Sequence, residues 1–78
     1  MSKTVKLYST STCSYCHRAK DFLKQNNVQF EDVDVGIDPA ASKEMMDKSG
    51  QMGVPVIDID GTIIVGFDKE AISKALEI

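Results

Sequence analysis

The chain has 78 residues, 42% of them apolar and 27% charged, with a formal net charge of −3. Those fractions describe one small globular domain, residues 1–78, and exclude a disordered or membrane protein. The acidic balance offers no footprint for nucleic acid or an anionic membrane, and no apolar run approaches the roughly 20 residues that span a bilayer.

The first residues, MSKTVKLYST, lack the apolar region and small-residue cleavage site of a signal peptide. The expected compartment is therefore the cytoplasm, where a cysteine pair is catalytic, sensing or metal-binding rather than structural. Residues 4–9 alternate, with Val5 and Leu7 on one face and Lys6 and Tyr8 on the other, which predicts a strand. Thr12-Cys13-Ser14-Tyr15-Cys16-His17 follows and holds both cysteines of the chain. Ser11 or Thr12 is the expected cap of a helix in which Cys16, Ala19 and Leu23 share one face with Phe22 beside them. Arg18, Lys20 and Lys24 look outward from that helix, and Asn26-Asn27 closes it. A cysteine at a strand-to-helix junction faces free backbone N–H groups and the positive end of the helix dipole, both of which stabilise a thiolate. The second cysteine, one turn later, is near enough to close a disulfide onto the first. This C-x-x-C reads as a redox site, because so short a loop removes little unfolded-state entropy and makes a poor staple.

Phe30, Val33 and Val35 mark a second strand, and the acidic face of FEDVDVGID reads as solvated surface. Asp38-Pro39, an N-cap followed by proline at the first helical position, starts a second helix that runs through Ala41, Met45 and Met46 to Gly50. A third strand, Val54 to Ile59, is entered through Pro55. Asp60-Gly61 is a hairpin turn, and Ile63 to Val65 forms a fourth strand. Gly66 breaks that strand, and Asp68 caps a last helix with Ala71, Ile72, Ala75 and Leu76 inward. The order β-α-β-α-β-β-α predicts an α/β fold. Its first two strands are parallel with a right-handed crossover and its last two form an antiparallel hairpin, giving a four-stranded mixed sheet flanked by three helices.

In this order and spacing, Cys13-Ser14-Tyr15-Cys16, Gly53-Val54-Pro55 and Val65-Gly66-Phe67-Asp68 resemble the glutaredoxin family of the thioredoxin fold over essentially the whole chain. The resemblance implies a cis Pro55 facing the cysteines, and proline is the residue for which a cis bond costs little. It also implies thiol–disulfide exchange, with Cys13 as nucleophile and Cys16 as a more buried resolving thiol. A helix dipole alone supplies only ~0.3–1 kcal/mol. Direct N–H···S bonds from Tyr15 and Cys16 would therefore carry most of the thiolate stabilisation. No resident cofactor or metal is implied; glutathione is the co-substrate. The Val54 backbone would pair with its cysteinyl part, while Phe67 and Asp68 N–H groups take the γ-glutamyl carboxylate and the Asp68 carboxylate takes the amine. Gln51 would assist at the glycyl carboxylate and Tyr15 would line the groove. Expected partners are glutathione and disulfide-containing or glutathionylated proteins, met by a monomer. A [2Fe–2S] cluster bridging two protomers through Cys13 and glutathione is an additional state known among glutaredoxins.

Several positions depart from the family's habit: Ser14 stands for proline, Thr10 for lysine, Gly53 for threonine, Val65 for glycine and Lys69 for aspartate. These changes bear on glutathione affinity more than on redox chemistry. The Gly66-Phe67 step also looks like the redoxins that take electrons from thioredoxin reductase and feed ribonucleotide reductase. Three rival readings fit less well. Cys13-x-x-Cys16-His17 spells a haem-attachment motif, but the strand signals and missing export signal oppose it. Two cysteines and one histidine fall short of a four-ligand zinc site. An adaptor domain without turnover has no use for an intact C-x-x-C.

Overall fold

The computed structural model describes residues 3–51 and 53–78; Met1, Ser2 and Met52 lie outside the described residues. The elements run β1 Val5–Ser9, α1 Ser14–Gln25, β2 Glu31–Asp34, α2 Pro39–Ser49, β3 Val56–Ile59, β4 Thr62–Val65 and α3 Lys69–Leu76. The four strands form one sheet in the order β2-β1-β3-β4. β1 pairs with β2 in parallel, and β3 pairs antiparallel with both β1 and β4. This is the mixed sheet with three helices that the element order predicts.

Both faces of the sheet are covered. Val5, Leu7, Ile57, Ile59 and Ile64 pack with Ala19 and Leu23 of α1 and Ile72 of α3. On the other face Tyr8 and Val56 pack with Met45 of α2. Alternation along β1 therefore separates two apolar layers rather than an inside from an outside, and Tyr8 is fully buried. Of the two methionines expected in α2, Met45 enters the core while Met46 stays exposed.

Local chemistry accounts for most boundaries. Asp38 caps α2 by accepting hydrogen bonds from the Ala40 and Ala41 amides, with Pro39 as the first helical residue. Gly50 ends that helix at φ +77°, a left-handed value that glycine adopts without a Cβ penalty. Asp60 and Gly61, at φ +50° and +94°, make the β3–β4 turn, and such a pair of positive values matches the twist of a two-residue hairpin. The second strand is shorter than Phe30–Val35: the ladder ends at Asp34, and Phe30 packs against the core from outside it. The cap of α1 also differs from expectation. Neither Ser11 nor Thr12 holds that place; Cys13 does, with its own sulfur accepting from the Cys16 amide.

Register sets where the loops gather. Tyr8 lies opposite Val56, Ser9 opposite Asp34, and Val56 opposite Val65. The end of β1, the end of β2, the start of β3 and the end of β4 thus share one end of the sheet. The C-x-x-C turn, Val54-Pro55 and Gly66-Phe67-Asp68 all leave from that end.

Candidate active site

Cys13 is partly exposed and Cys16 is fully buried; both are free thiols. The difference follows from the helix. As N-cap, Cys13 precedes the first turn with extended backbone (φ −91°, ψ 112°), and its Sγ accepts the Cys16 N–H at 3.2 Å. One turn further, Cys16 points to the core face that α1 shares with Ala19 and Leu23. The Cys13 sulfur thus lies at the end of α1 where backbone amides lack intrahelical partners. Burial pushes the Cys16 thiol up, to about 12, and its hydrogen bond with Cys13 adds to that, while the Thr10 backbone and the Lys20 charge pull the other way. The two sulfurs therefore differ: one is accessible and capped by an amide, the other desolvated and held protonated.

Across from the thiols, the Val54–Pro55 peptide bond is cis. The Val54 carbonyl lies 3.9 Å from Cys13 Sγ, within reach of the thiol proton. Pro55 is buried, and its carbonyl accepts the Gly66 amide at 2.8 Å. That bond joins the proline loop to the turn before α3. Gly66 takes φ +81° there, which glycine tolerates best. Two residues on, Asp68 caps α3 by accepting the Ala71 amide at 3.1 Å.

The sequence-predicted residues distribute unevenly around this arrangement. Val54, Pro55, Cys13 and Cys16 come together directly. Asp68 sits at the head of α3 with its carboxylate exposed. The Phe67 ring turns inward, edge-on to Phe22 with centroids 6.1 Å apart, so only its backbone is placed for a ligand. Tyr15 is 58% exposed and carries the Arg18 guanidinium 5.4 Å from its ring centre. Gln51 is exposed, and its amide nitrogen lies over Gly53, where a Cβ would meet it at 3.6 Å. His17 is exposed and pairs with the Ser11 carbonyl at 3.3 Å. Among the described residues no group of three or more His, Cys, Asp or Glu side chains could hold a metal ion.

A second constellation escapes sequence reasoning. Lys20 does not look outward: its ammonium is 2.8 Å from Asp32, and its side chain is only 18% exposed. The buried Ser9 hydroxyl donates to the other Asp32 oxygen at 2.9 Å. Burial pushes the Asp32 carboxyl up, but the Lys20 and Ser9 hydrogen bonds outweigh it and hold the group below the usual carboxylate range. The strand that reads as a solvated acidic face thus contributes one carboxylate to the flank of α1. The spacing of Lys20 four residues after Cys16 is visible in the sequence; its partner on β2 is not.

A cis-proline opposite a two-cysteine helix start, on this sheet, defines a redox protein of the thioredoxin fold. The glutaredoxin family model matches residues 5–64, and the chain belongs to that family of thiol–disulfide oxidoreductases. It is 51% identical over 73 residues to the uncharacterized glutaredoxin-like 8.6 kDa protein in the rubredoxin operon of Clostridium pasteurianum, a match covering 94% of this chain and 97% of that one. Glutaredoxin 3 of Escherichia coli K12 is 41% identical over 64 residues, 82% of this chain and 77% of the relative. Among solved structures, the thioredoxin-like protein BC3987 superposes with a TM-score of 0.88 at 33% identity, over 94% of this chain and all of that one. No described helix is long and apolar enough to cross a membrane.

Proposed function

We propose that the chain reduces protein disulfides and glutathione mixed disulfides, with glutathione as its reductant, Cys13 as nucleophile and Cys16 as resolving thiol. The observation that carries this reading is the unequal pair itself: an accessible sulfur that accepts an amide hydrogen bond at 3.2 Å, backed by a fully buried one. Only the former can meet an incoming disulfide. The Cys13 thiolate attacks one sulfur of the substrate and forms a mixed disulfide while the other sulfur leaves as thiolate. With a glutathionylated protein, attack on the glutathione sulfur frees the protein, and free glutathione regenerates Cys13. With a protein disulfide, Cys16 attacks Cys13 and releases the reduced protein; glutathione then reduces the Cys13–Cys16 bond.

Backbone and cap chemistry supports a glutathione groove between the thiols and α3. The Pro55–Gly66 hydrogen bond holds the Val54 segment beside the head of α3, where helix amides and Asp68 suit an α-amino acid group. Tyr15 and Gln51 are exposed and so free to assist, Tyr15 along the groove and Gln51 at the glycyl carboxylate.

The test is NADPH consumption with a small disulfide substrate, comparing glutathione plus glutathione reductase against thioredoxin reductase alone. Turnover with glutathione is expected, abolished in Cys13→Ser. Cys16→Ser keeps deglutathionylation and loses two-thiol protein reduction. Turnover only with thioredoxin reductase would replace the glutathione reading with a redoxin one, in which Thr10, Gly53 and Lys69 mark a site not built for the tripeptide.

A further inference from the structure

The exposed side of α1 carries a cation that the fold leaves without a counter-charge. Lys3, Lys6, Lys20 and Lys48 each have a carboxylate at 3.5 Å or less. Arg18, the single arginine of the chain, has no such partner among the described residues. Its guanidinium lies instead 5.4 Å from the centre of the Tyr15 ring, three residues earlier on the same helix, and both residues are exposed. A guanidinium over an aromatic ring is held by the negative face of that ring, yet its N–H edge stays free. That edge matches a carboxylate, which it takes through two parallel hydrogen bonds. No acidic side chain of the helix start competes for it. The stretch from Ser14 to Arg18 contains neither Asp nor Glu, and the first acidic residue of α1 is Asp21. A free cation thus stands beside the accessible thiol of a chain that is otherwise acidic, with 12 Asp and Glu against 9 Lys and Arg.

We propose that the Tyr15–Arg18 pair is a docking surface for the acidic segment of a protein substrate, taking an Asp or Glu carboxylate close to the cysteine that Cys13 attacks. This rests on the reading of Cys13 as nucleophile. Reach fixes the spacing. Arg18 follows Cys13 by five residues, about 7.5 Å along the axis at the rise of an α-helix. An extended substrate advances about 3.3 Å per residue, so a carboxylate two or three positions from its reactive cysteine meets the guanidinium. The partner is therefore a disulfide-bearing protein whose cysteine lies in an extended, acidic segment. Arg18 sets which protein disulfides react fastest; the chemistry at the sulfur is unchanged.

Peptides with one cysteine, each held as a mixed disulfide with a pyridine thiol, test this in stopped flow. The first carries glutamate three positions from the cysteine, the second glutamine there and the third lysine. The Cys13 thiolate attacks the peptide sulfur. A bond from Cys13 to that sulfur forms as the peptide–pyridyl bond breaks, and the coloured pyridine thiolate leaves with the electron pair. Resolution by Cys16 releases only the peptide, so colour reads the attack alone.

In the wild type the glutamate peptide reacts about twofold to fivefold faster than the glutamine peptide, the rate equivalent of an exposed ion pair. The lysine peptide is slower still, and salt at about 0.5 M removes the differences. Arg18→Gln brings the glutamate-to-glutamine ratio to one, and Arg18→Glu inverts the order of the glutamate and lysine peptides. Lys24→Gln, further along α1, keeps the wild-type ratio. Each protein is read as a ratio between peptides, so a general loss of activity cancels. Equal rates for the three peptides in the wild type, or a preference that survives Arg18→Gln, overturns the proposal. So does a glutathione–pyridyl disulfide that loses as much in Arg18→Gln as the glutamate peptide does, because the carboxylate at Arg18 is then the glycyl one. Colour released by Cys13→Ser at the wild-type rate would sink the nucleophile reading instead, an outcome distinct from any change in the ratios.

Discussion

Two cysteines three positions apart meet opposite surroundings because a helix start presents them differently. Cys13 stands before the first turn, where amides lack intrahelical partners; Cys16 stands inside it, where the side chain meets the sheet. The same logic governs Asp68. Its carboxylate caps α3 through the Ala71 amide, and a capping carboxylate still has a second oxygen for a ligand amine. Capping and binding can be separated by substitution. Asp68→Asn retains a side-chain oxygen and keeps stability within about 0.5 kcal/mol, since asparagine caps as well as aspartate, whereas Asp68→Ala costs about 1 kcal/mol. If the carboxylate meets glutathione, Asn raises KM for glutathione severalfold with little change in kcat for a disulfide supplied in excess. An unchanged KM would leave Asp68 as a cap only.

At the scale of elements, α1 is capped by Cys13, the cysteine proposed as nucleophile. Sulfur is a weak acceptor, yet the Cys13 side chain occupies the position where serine or aspartate usually sits. Stability and reactivity should therefore part company at this residue. Cys13→Ser supplies a better cap and leaves the urea midpoint at or above that of the reduced wild type while exchange is lost. Cys13→Ala loses exchange as well and lowers stability by about 0.5–1 kcal/mol, at the small end for a lost cap. Equal midpoints for the two variants would show that the amide bond to sulfur contributes nothing to the fold. Helix α2 uses a stronger arrangement, Asp38 with two amides and Pro39 behind it, which suits an element that covers one sheet face alone.

Across the whole molecule, a polar cluster ties α2 to the sheet. Lys48 donates to the Tyr8 hydroxyl at 3.0 Å and to Asp58 at 2.8 Å, and Glu44 bridges Lys6 and Lys48. The hydrogen bonds to Asp58 and Tyr8 raise the Lys48 pKa. Burial pushes Asp58 up, but Lys48 and the Gly61 amide outweigh it and leave it lowered. A raised lysine contributes stability below its unfolded value of about 10.4 and loses it as pH climbs through the folded value. A lowered aspartate contributes above its unfolded value of about 3.9 and loses it as pH falls through the folded one. Stability from this pair should therefore be flat between about pH 4 and 10 and decline on both sides. Lys48→Met strips the buried Tyr8 hydroxyl of its donor and leaves Asp58 without its cation. We expect a loss of about 1–2 kcal/mol at neutral pH, discounted for the partial exposure of the pair, and a shallower acid limb. Urea unfolding across a pH series measures both; an unaltered acid limb would remove Asp58 from the account.

Much of this protein is determined by short-range information. Asp38-Pro39, Asp60-Gly61, Gly66 and Asp68 act on their own neighbours, so the element order and the C-x-x-C junction are legible in the chain as written. The cap of α1 is not legible there, because serine and threonine are ordinary caps and cysteine is not. Which strands become neighbours is a different kind of fact. Register brought Ser9 level with Asp34, set Asp32 against Lys20, and buried Tyr8 beneath α2. Nothing in EDVD distinguishes the aspartate that faces a lysine across α1 from those that face water. Composition and periodicity settle what each segment becomes, because caps, turns and alternation act over a few residues. Only the assembled sheet decides which charges meet on the flank of α1, because those pairings join residues far apart in the chain whose distance exists only once β1 and β2 align.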